Sequence, residues 1–156
     1  MSNQQSSAYL LDASIYIFRA YFSLPENWHS PAGHPLNAVY GYSGFLLDLL
    51  RKLKLDQKPV LAAAFDESLG SCYRNELFAA YKSSREHPDE ALAFQLQCCR
   101  KVTELLNIPC FSGERFEADD YIASLAKLAR NQERTVIVVS KDKDLGQVLS
   151  GERDCL

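Results

Sequence analysis

Seven carboxylates in this sequence fall where short apolar runs give way to polar residues. Asp12 closes the run Tyr9-Leu10-Leu11-Asp12, and Asp66 closes Ala62-Ala63-Ala64-Phe65-Asp66. Glu117, Asp119 and Asp120 follow a third run after a short loop, and Asp142 and Asp144 follow a fourth. Carboxylates gathered in one place repel, and they raise one another's pKa unless a cation lies among them. Hard divalent ions that prefer oxygen ligands are the natural counter-charge, and Mg²⁺ or Mn²⁺ suits an open acidic pocket that also takes phosphate oxygens. Such a pocket serves two-metal phosphoryl chemistry. Taken singly, several of these acids have a plain structural reading. Glu117, Asp119 and Asp120 could simply meet the dipole of a helix start, and Asp142 could cap a helix. Asp12 and Asp66 fit that reading less well, because a carboxylate closing a buried strand carries a desolvation cost. The coincidence of all seven is what points to chemistry.

The elements that must position them are legible as patterns. The apolar runs at 8–11, 60–65, 108–111 and 135–139 have the length of strands. The second and fourth lack period-2 alternation, as expected for strands of a parallel sheet covered on both faces. Between them, apolar residues recur every three or four positions over 38–54, 89–106 and 117–130, and a short helix is expected after Lys143. Strands alternating with helices predict a doubly wound α/β domain with a parallel sheet. In such sheets the ligand site lies outside the carboxyl ends of the strands, which places all seven acids on one edge. The stretches 23–37 and 83–89 read as loops, Asn37-Ala38 as a helix cap, and 151–156 as an ending without a further element. Gly41 and Gly44 would permit close packing or close approach of a phosphate backbone.

The segment 73–85 has a different character. If it is helical at about 100° per residue, Arg74, Phe78, Tyr81 and Arg85 share one stripe, with Lys82 at its margin. Cations bind phosphates and rings stack on unpaired bases. A partly buried helix whose basic stems reach out to water accounts for the wheel equally well.

Composition sets the outer bounds. The chain has 156 residues and a formal net charge of −3, from 20 acidic and 17 basic side chains. That is one domain's length. No apolar run approaches the roughly 20 residues that span a bilayer, and the polar start is no signal peptide, so a cytoplasmic protein with no membrane partner is expected. Five cysteines without a CxxC pair argue against a zinc site or a disulfide framework, and the three histidines are scattered in loops. No Walker A, GxGxxG, HExxH or GxSxG motif is present. The acidic balance argues against a simple basic nucleic-acid-binding domain. Setting the seven acids aside reverses that, since 13 acids then face 17 bases, a remainder of +4.

Several of these runs resemble the 5′-nuclease family, which includes the N-terminal 5′–3′ exonuclease domain of bacterial DNA polymerase I and the flap endonucleases. They are Leu10-Leu11-Asp12, Ala38-Val39-Tyr40-Gly41-Tyr42, Ala64-Phe65-Asp66, Arg74 with Tyr81-Lys82-Ser83-Ser84-Arg85, Glu117-Ala118-Asp119-Asp120, and Ser140-Lys141-Asp142-Lys143-Asp144-Leu145. The resemblance spans nearly the whole chain in the family's order. It implies a PIN-like, resolvase-like α/β fold, a parallel sheet flanked by helices, with a helical arch or clamp segment. It also implies Mg²⁺- or Mn²⁺-dependent hydrolysis of DNA at 5′ ends and flaps, with two ions and 5′-phosphate products, in replication and repair. Carried over by motif, Asp12, Asp66, Glu117 and Asp119 would hold the first ion, with Asp120 beside or bridging, and Asp142 and Asp144 would serve the second. Arg74, Lys82 and Arg85 would act on the scissile phosphate and, with Tyr81, contact the 5′ strand. Tyr40 and Tyr42 would lie near the DNA junction. Residues 1–156 would then be the N-terminal catalytic domain, without the helix–hairpin–helix part that family members usually carry, and a C-terminal domain or polymerase could be a missing partner. The alternatives are a non-catalytic branched-DNA binding module and a PIN-like ribonuclease.

Overall fold

A computed structural model of the chain describes residues 7–53, 60–67, 72–81 and 88–156. Its frame is a four-stranded parallel sheet of β1 (Ser7–Asp12), β2 (Val60–Ala64), β3 (Cys110–Phe111) and β4 (Thr135–Val139), in the order β3-β2-β1-β4. β1 is central. Its Asp12 pairs with Ala64 of β2, and Leu11 pairs with Val139 of β4, so all carboxyl ends point the same way. Alternation along each strand sends side chains to opposite faces. Ala8 and Leu10 meet Ala62, Ala64, Val136 and Val138 on one face, and Leu11 joins Ala63 and Phe65 on the other.

Each face is covered by helices. On the first, α5 (Ala118–Asn131) turns Ala118, Ile122, Ala126 and Ala129 inward, a stripe at helical spacing. On the second lie α1 (Ala13–Ser23), α2 (Asn37–Lys52) and α4 (Glu90–Leu105). A short α3 (Tyr73–Leu77) and a 3-10 helix at Lys143–Val148 complete the described elements.

The expected strands and the longer helices are present, and four expectations need correction. α1 was not foreseen. Its sequence ASIYIFRAYFS carries apolar residues around nearly its whole circumference, yet only Ala13, Ser14, Ile17 and Ala20 are buried, so the pattern shows no clean stripe. The single helix expected over 73–85 ends at Leu77, because Phe78 is extended, and Phe78 is itself exposed. Asn37 is the first residue of α2 rather than its cap, and its amide donates to the carbonyls of Tyr21 and Leu24. Residues 151–155 extend the sheet: Cys155 forms a parallel bridge with Ile137, donating to Val136 O and accepting from Val138 N–H.

Buried polar groups tie the second layer together. Gln95, fully enclosed, accepts from the N–H groups of Ala38 (2.7 Å) and Val39 (3.3 Å) and donates to Asn37 Oδ1 (2.9 Å). Those N–H groups open α2 and have no partner within the helix, so a side chain from α4 does the work of a cap. Gly41 lets α1 and α2 touch, since a Cβ there would lie 2.6 Å from Leu24 Cδ1 and 2.8 Å from Ala20 Cβ. Gly44 faces open space.

Candidate active site

Asp12 is the last residue of β1 and is only 5% exposed. The Ser140 hydroxyl, just past β4, donates to its Oδ2 at 2.7 Å. Burial pushes the Asp12 carboxyl up to about 6; the Ser140 bond and the Ile15 N–H oppose that, while the charges of Asp66 and Asp119 add to it. Asp66 follows β2. Its N–H donates to Ser14 Oγ (2.8 Å), and its Oδ1 accepts from the N–H of Ala118 (2.7 Å), tying the end of β2 to the first turn of α5. Strand ends and a helix start thus bring Asp12, Asp66 and Asp119 within electrostatic reach of one another.

A second group forms at the same helix start. Glu117 caps α5, and its N–H donates to Asp120 Oδ2 at 3.0 Å in a capping box. Arg74, from α3, grips both acids. Its guanidinium meets Asp120 in a fork of 2.6 and 2.7 Å and reaches Glu117 Oε2 at 3.0 Å. These bonds, led by Asp120 and opposed by desolvation, hold the Arg74 pKa above its usual value. The Tyr81 hydroxyl also donates to Glu117 Oε2, at 3.1 Å, and the Arg74 guanidinium carbon lies 5.9 Å from the Tyr81 ring centre. Arg74 and Tyr81 are therefore brought together by a helix followed by an extended break, not by one helical stripe. Lys82 and Arg85 lie outside the described residues.

The remaining positions divide. Asp142 accepts from the Asp144 N–H at 2.9 Å and so caps the 3-10 helix, while Asp144 is exposed. Both stand on the expected edge, beyond β4. Tyr40 is 57% exposed, its ring stacked 4.0 Å from that of Trp28. Tyr42 corrects its expected place at a DNA junction. It is fully buried, its hydroxyl 2.9 Å from Thr103 Oγ1, because it lies on the opposite face of α2 from Tyr40. Sequence reasoning missed Ser14 and Ser140, which fix Asp66 and Asp12; the signal available was their position beside the acids, at the same strand ends.

The donor set fits a hard divalent ion. It is all oxygen, and Asp12, whose carboxyl is raised first by burial and then by the charges of Asp66 and Asp119, would be stabilised in its ionised form by an added cation. Among the described residues no three Asp, Glu, His or Cys side chains close around a single point. Ser140, the Ala118 N–H and Arg74 engage these carboxylates instead. No described helix is long and apolar enough to cross a membrane.

Residues 7–155 match the family model described as 5′–3′ exonuclease, N-terminal resolvase-like domain. The DNA polymerase I of Rhizobium leguminosarum is 40% identical over 146 residues, a match covering 91% of this chain and 14% of that protein. The 5′–3′ exonuclease of Aquifex aeolicus is 32% identical over 142 residues, covering 91% of this chain and 47% of that protein. The chain thus spans less than half the length of these relatives. Among solved structures, the bacteriophage T5 5′-exonuclease with zinc ions bound gives a TM-score of 0.57 at 19% identity, over 92% of this chain and 52% of that one. A T5 flap endonuclease complex with DNA and metal ions gives 0.55 at the same identity and the same coverage. At that identity the likeness shows the fold.

Proposed function

Since the chain belongs to the 5′–3′ exonuclease N-terminal resolvase-like domain family, we propose that it is the catalytic part of a metal-dependent 5′ nuclease, hydrolysing DNA phosphodiesters at 5′ ends and flaps and leaving 5′-phosphates. The observation that carries this reading is Asp12, a buried carboxylate at the central strand's end, pushed up by burial and by the charges of Asp66 and Asp119. Two donors, the Ser140 hydroxyl and the Ile15 N–H, do not offset its burial and its acidic neighbours, an arrangement that clusters at functional sites.

The chain's own residues divide the work. Asp12, Asp66, Glu117 and Asp119 would hold one Mg²⁺ or Mn²⁺, and Asp142 and Asp144 a second. When bound, such ions supply Lewis acidity, both for a more acidic water and for charge on the leaving 3′-oxygen. Ser140 and the Ala118 N–H fix the orientation of Asp12 and Asp66 before any ligand arrives. Arg74, already beside Glu117 and Asp120, stands where it can turn toward a phosphate and neutralise charge on its non-bridging oxygens. Tyr81, with Lys82 and Arg85 following it in sequence, would contact the 5′ strand, and the exposed ring of Tyr40 the junction.

The test is a 5′-labelled DNA flap incubated with the chain in Mg²⁺ or Mn²⁺, with an EDTA control. Short 5′ products appearing only with metal, and lost in Asp66→Ala and Asp119→Ala while DNA binding survives, support the reading. Binding without cleavage would point instead to a branched-DNA binding module, and cleavage of RNA alone to a ribonuclease.

A further inference from the structure

Two serines stand among the carboxylates at the strand ends, and they do different things. Ser14, in the first turn of α1, accepts the Asp66 N–H at 2.8 Å and so holds backbone alone. Ser140, the residue after β4, engages two acids through one oxygen. Its hydroxyl donates to Asp12 Oδ2 at 2.7 Å, and the same oxygen accepts the N–H of Asp142 at 3.0 Å.

The sheet itself delivers that hydroxyl. Leu10 pairs with Val138 and Leu11 with Val139, so continuing the register brings Asp12 level with Ser140. Both lie two residues beyond Leu10 and Val138, and therefore on the same face of the sheet, the one that α5 covers. Residues 128 positions apart in the chain thus meet at the edge where the acids gather. The sense of the two bonds is fixed by chemistry. An N–H can only donate, so the hydroxyl's one proton is left for Asp12. The line of bonds then continues, because Asp142 Oδ1 accepts the Asp144 N–H at 2.9 Å. It runs unbroken from Asp12 through Ser140 and Asp142 to Asp144, and its two ends are acids assigned above to different ions.

A carboxylate turns freely about its last bond unless a partner holds it. Carboxylates that ligate metals are accordingly hydrogen-bonded by their neighbours, and loss of such a partner typically costs about 10–100-fold in metal affinity. Ser140 is placed to do this for Asp12. At Asp142 the same oxygen holds the backbone where the chain leaves β4, and so fixes the turn that carries Asp142 and Asp144. Ser140 is only partly buried, so its partners are not explained by the need to satisfy an enclosed hydroxyl.

We propose that Ser140 is a positioning residue that sets the two ion sites as one unit, its hydroxyl holding the Asp12 carboxylate for one ion and its oxygen holding the Asp142–Asp144 turn for the other. The inference rests on the nuclease reading for the ions, and it adds that the two sites are coupled. Ordering Asp12 orders the hydroxyl and, through it, the turn, so occupancy at either end favours occupancy at the other.

The experiment titrates Mn²⁺ into the metal-free protein without DNA, following the paramagnetic resonance signal of the free ion, for the wild type, Ser140→Ala, Ser140→Thr and Ser140→Cys. The wild-type curve should be steeper than independent sites allow. Ser140→Ala should flatten it and raise the Mn²⁺ concentration at half-saturation by about tenfold or more. Ser140→Thr keeps the hydroxyl and should restore both. Ser140→Cys keeps the size but donates weakly, so it should follow the alanine variant, and it carries the comparison should that variant not fold. On the flap substrate at limiting Mn²⁺, Ser140→Ala should lower kcat and leave KM for DNA unchanged. Urea midpoints in EDTA separate this from a merely structural role, in which the midpoint would fall and the Mn²⁺ curve would stay as it was. No Mn²⁺ binding by the wild type, a wild-type curve without cooperativity, equal curves for wild type and Ser140→Ala, or a threonine variant that stays weak would overturn the proposal. Failure of the nuclease reading looks different: the wild type would bind Mn²⁺ in this Ser140-dependent manner yet leave the flap uncut.

Discussion

Asp154 offers a prediction whose size follows from its partners. Its side chain is 3% exposed. Oδ1 accepts from the Val136 N–H at 2.9 Å, and Oδ2 accepts from Arg130 Nε at 2.9 Å, the Gly151 N–H at 3.0 Å and the Ser150 N–H at 3.3 Å. Burial alone would raise this carboxyl, but the donors from Val136, Gly151, Arg130 and Ser150 together bring it down to about 2. Against the ordinary 3.8, a lowering of that size corresponds to about 2.5 kcal/mol favouring the ionised folded state. An independent route gives the same order, since a hydrogen bond to a charged group contributes about 1.5–3 kcal/mol and four donors on one carboxylate do not add. Asp154→Asn keeps the shape and removes the charge, so it should lose about 2–3 kcal/mol at pH 7. The sign with pH is definite. A depressed carboxyl contributes its stability above the unfolded value and loses it as pH falls through the folded one, so the penalty should shrink between about pH 4 and pH 2. Urea unfolding of wild type and variant side by side, at pH 7, 4 and 2, measures the difference with the other acids' titration cancelled. A penalty below about 0.5 kcal/mol at pH 7, or one that persists undiminished at pH 2, would refute the claim that the ionised carboxylate fastens residues 151–155 to β4.

Three further outcomes follow from the same kind of accounting. Gln95→Leu should destabilise by about 2–4 kcal/mol in urea unfolding, because the Ala38 and Val39 N–H groups and Asn37 Oδ1 would be buried without partners. Gly41→Ala should lower the urea midpoint by an amount equivalent to about 1–3 kcal/mol, as the added methyl pushes Ala20 of α1, and Leu24 just past it, away from α2. Asp12→Asn should behave in the opposite way. With its carboxyl raised to about 6, the ionised Asp12 costs the metal-free fold about 3 kcal/mol above that pH and nothing below about pH 4. In EDTA at pH 7.5 the variant should therefore unfold at higher urea than the wild type, with the gain fading as pH falls toward 4, and it should be inactive on the flap substrate.

The contrast between Asp12 and Asp154 shows how differently the fold treats two carboxylates. Asp154 collects three backbone N–H groups and a guanidinium, whereas Asp12 is more deeply desolvated, has the donors Ser140 and Ile15, and stands beside the acids Asp66 and Asp119. In the nuclease proposed here, tolerating such a group at the central strand trades stability for chemistry. Arg74 moderates the cost at the adjacent acids, forking onto Asp120 and reaching Glu117.

The sequence alone determined the alternation of strands and helices, and with it the edge on which the acids stand. Strand length, helical spacing and the rule that sites lie at carboxyl ends are local or topological facts, so Asp12 and Asp66 could be assigned to strand ends and Glu117 and Asp119 to the helix start on the same edge before any coordinates. What lay beyond it was whatever depends on partners distant in the chain. Tyr40 and Tyr42 differ by two positions in one motif, and only the packing of α2 on α4 sends one to solvent and the other to Thr103. The stripe over 73–85 assumed a continuous helix, but Phe78 breaks it, and Tyr81 reaches Glu117 by a turn that no wheel describes. The ending at 151–156 read as lacking a further element because the donors that fasten it, on Val136 and Arg130, are remote in sequence. The net charge of −3 reads the same way: composition supplied the sum, whereas the tertiary structure set an acidic edge at the strand ends and brought Arg74 against its Glu117 and Asp120.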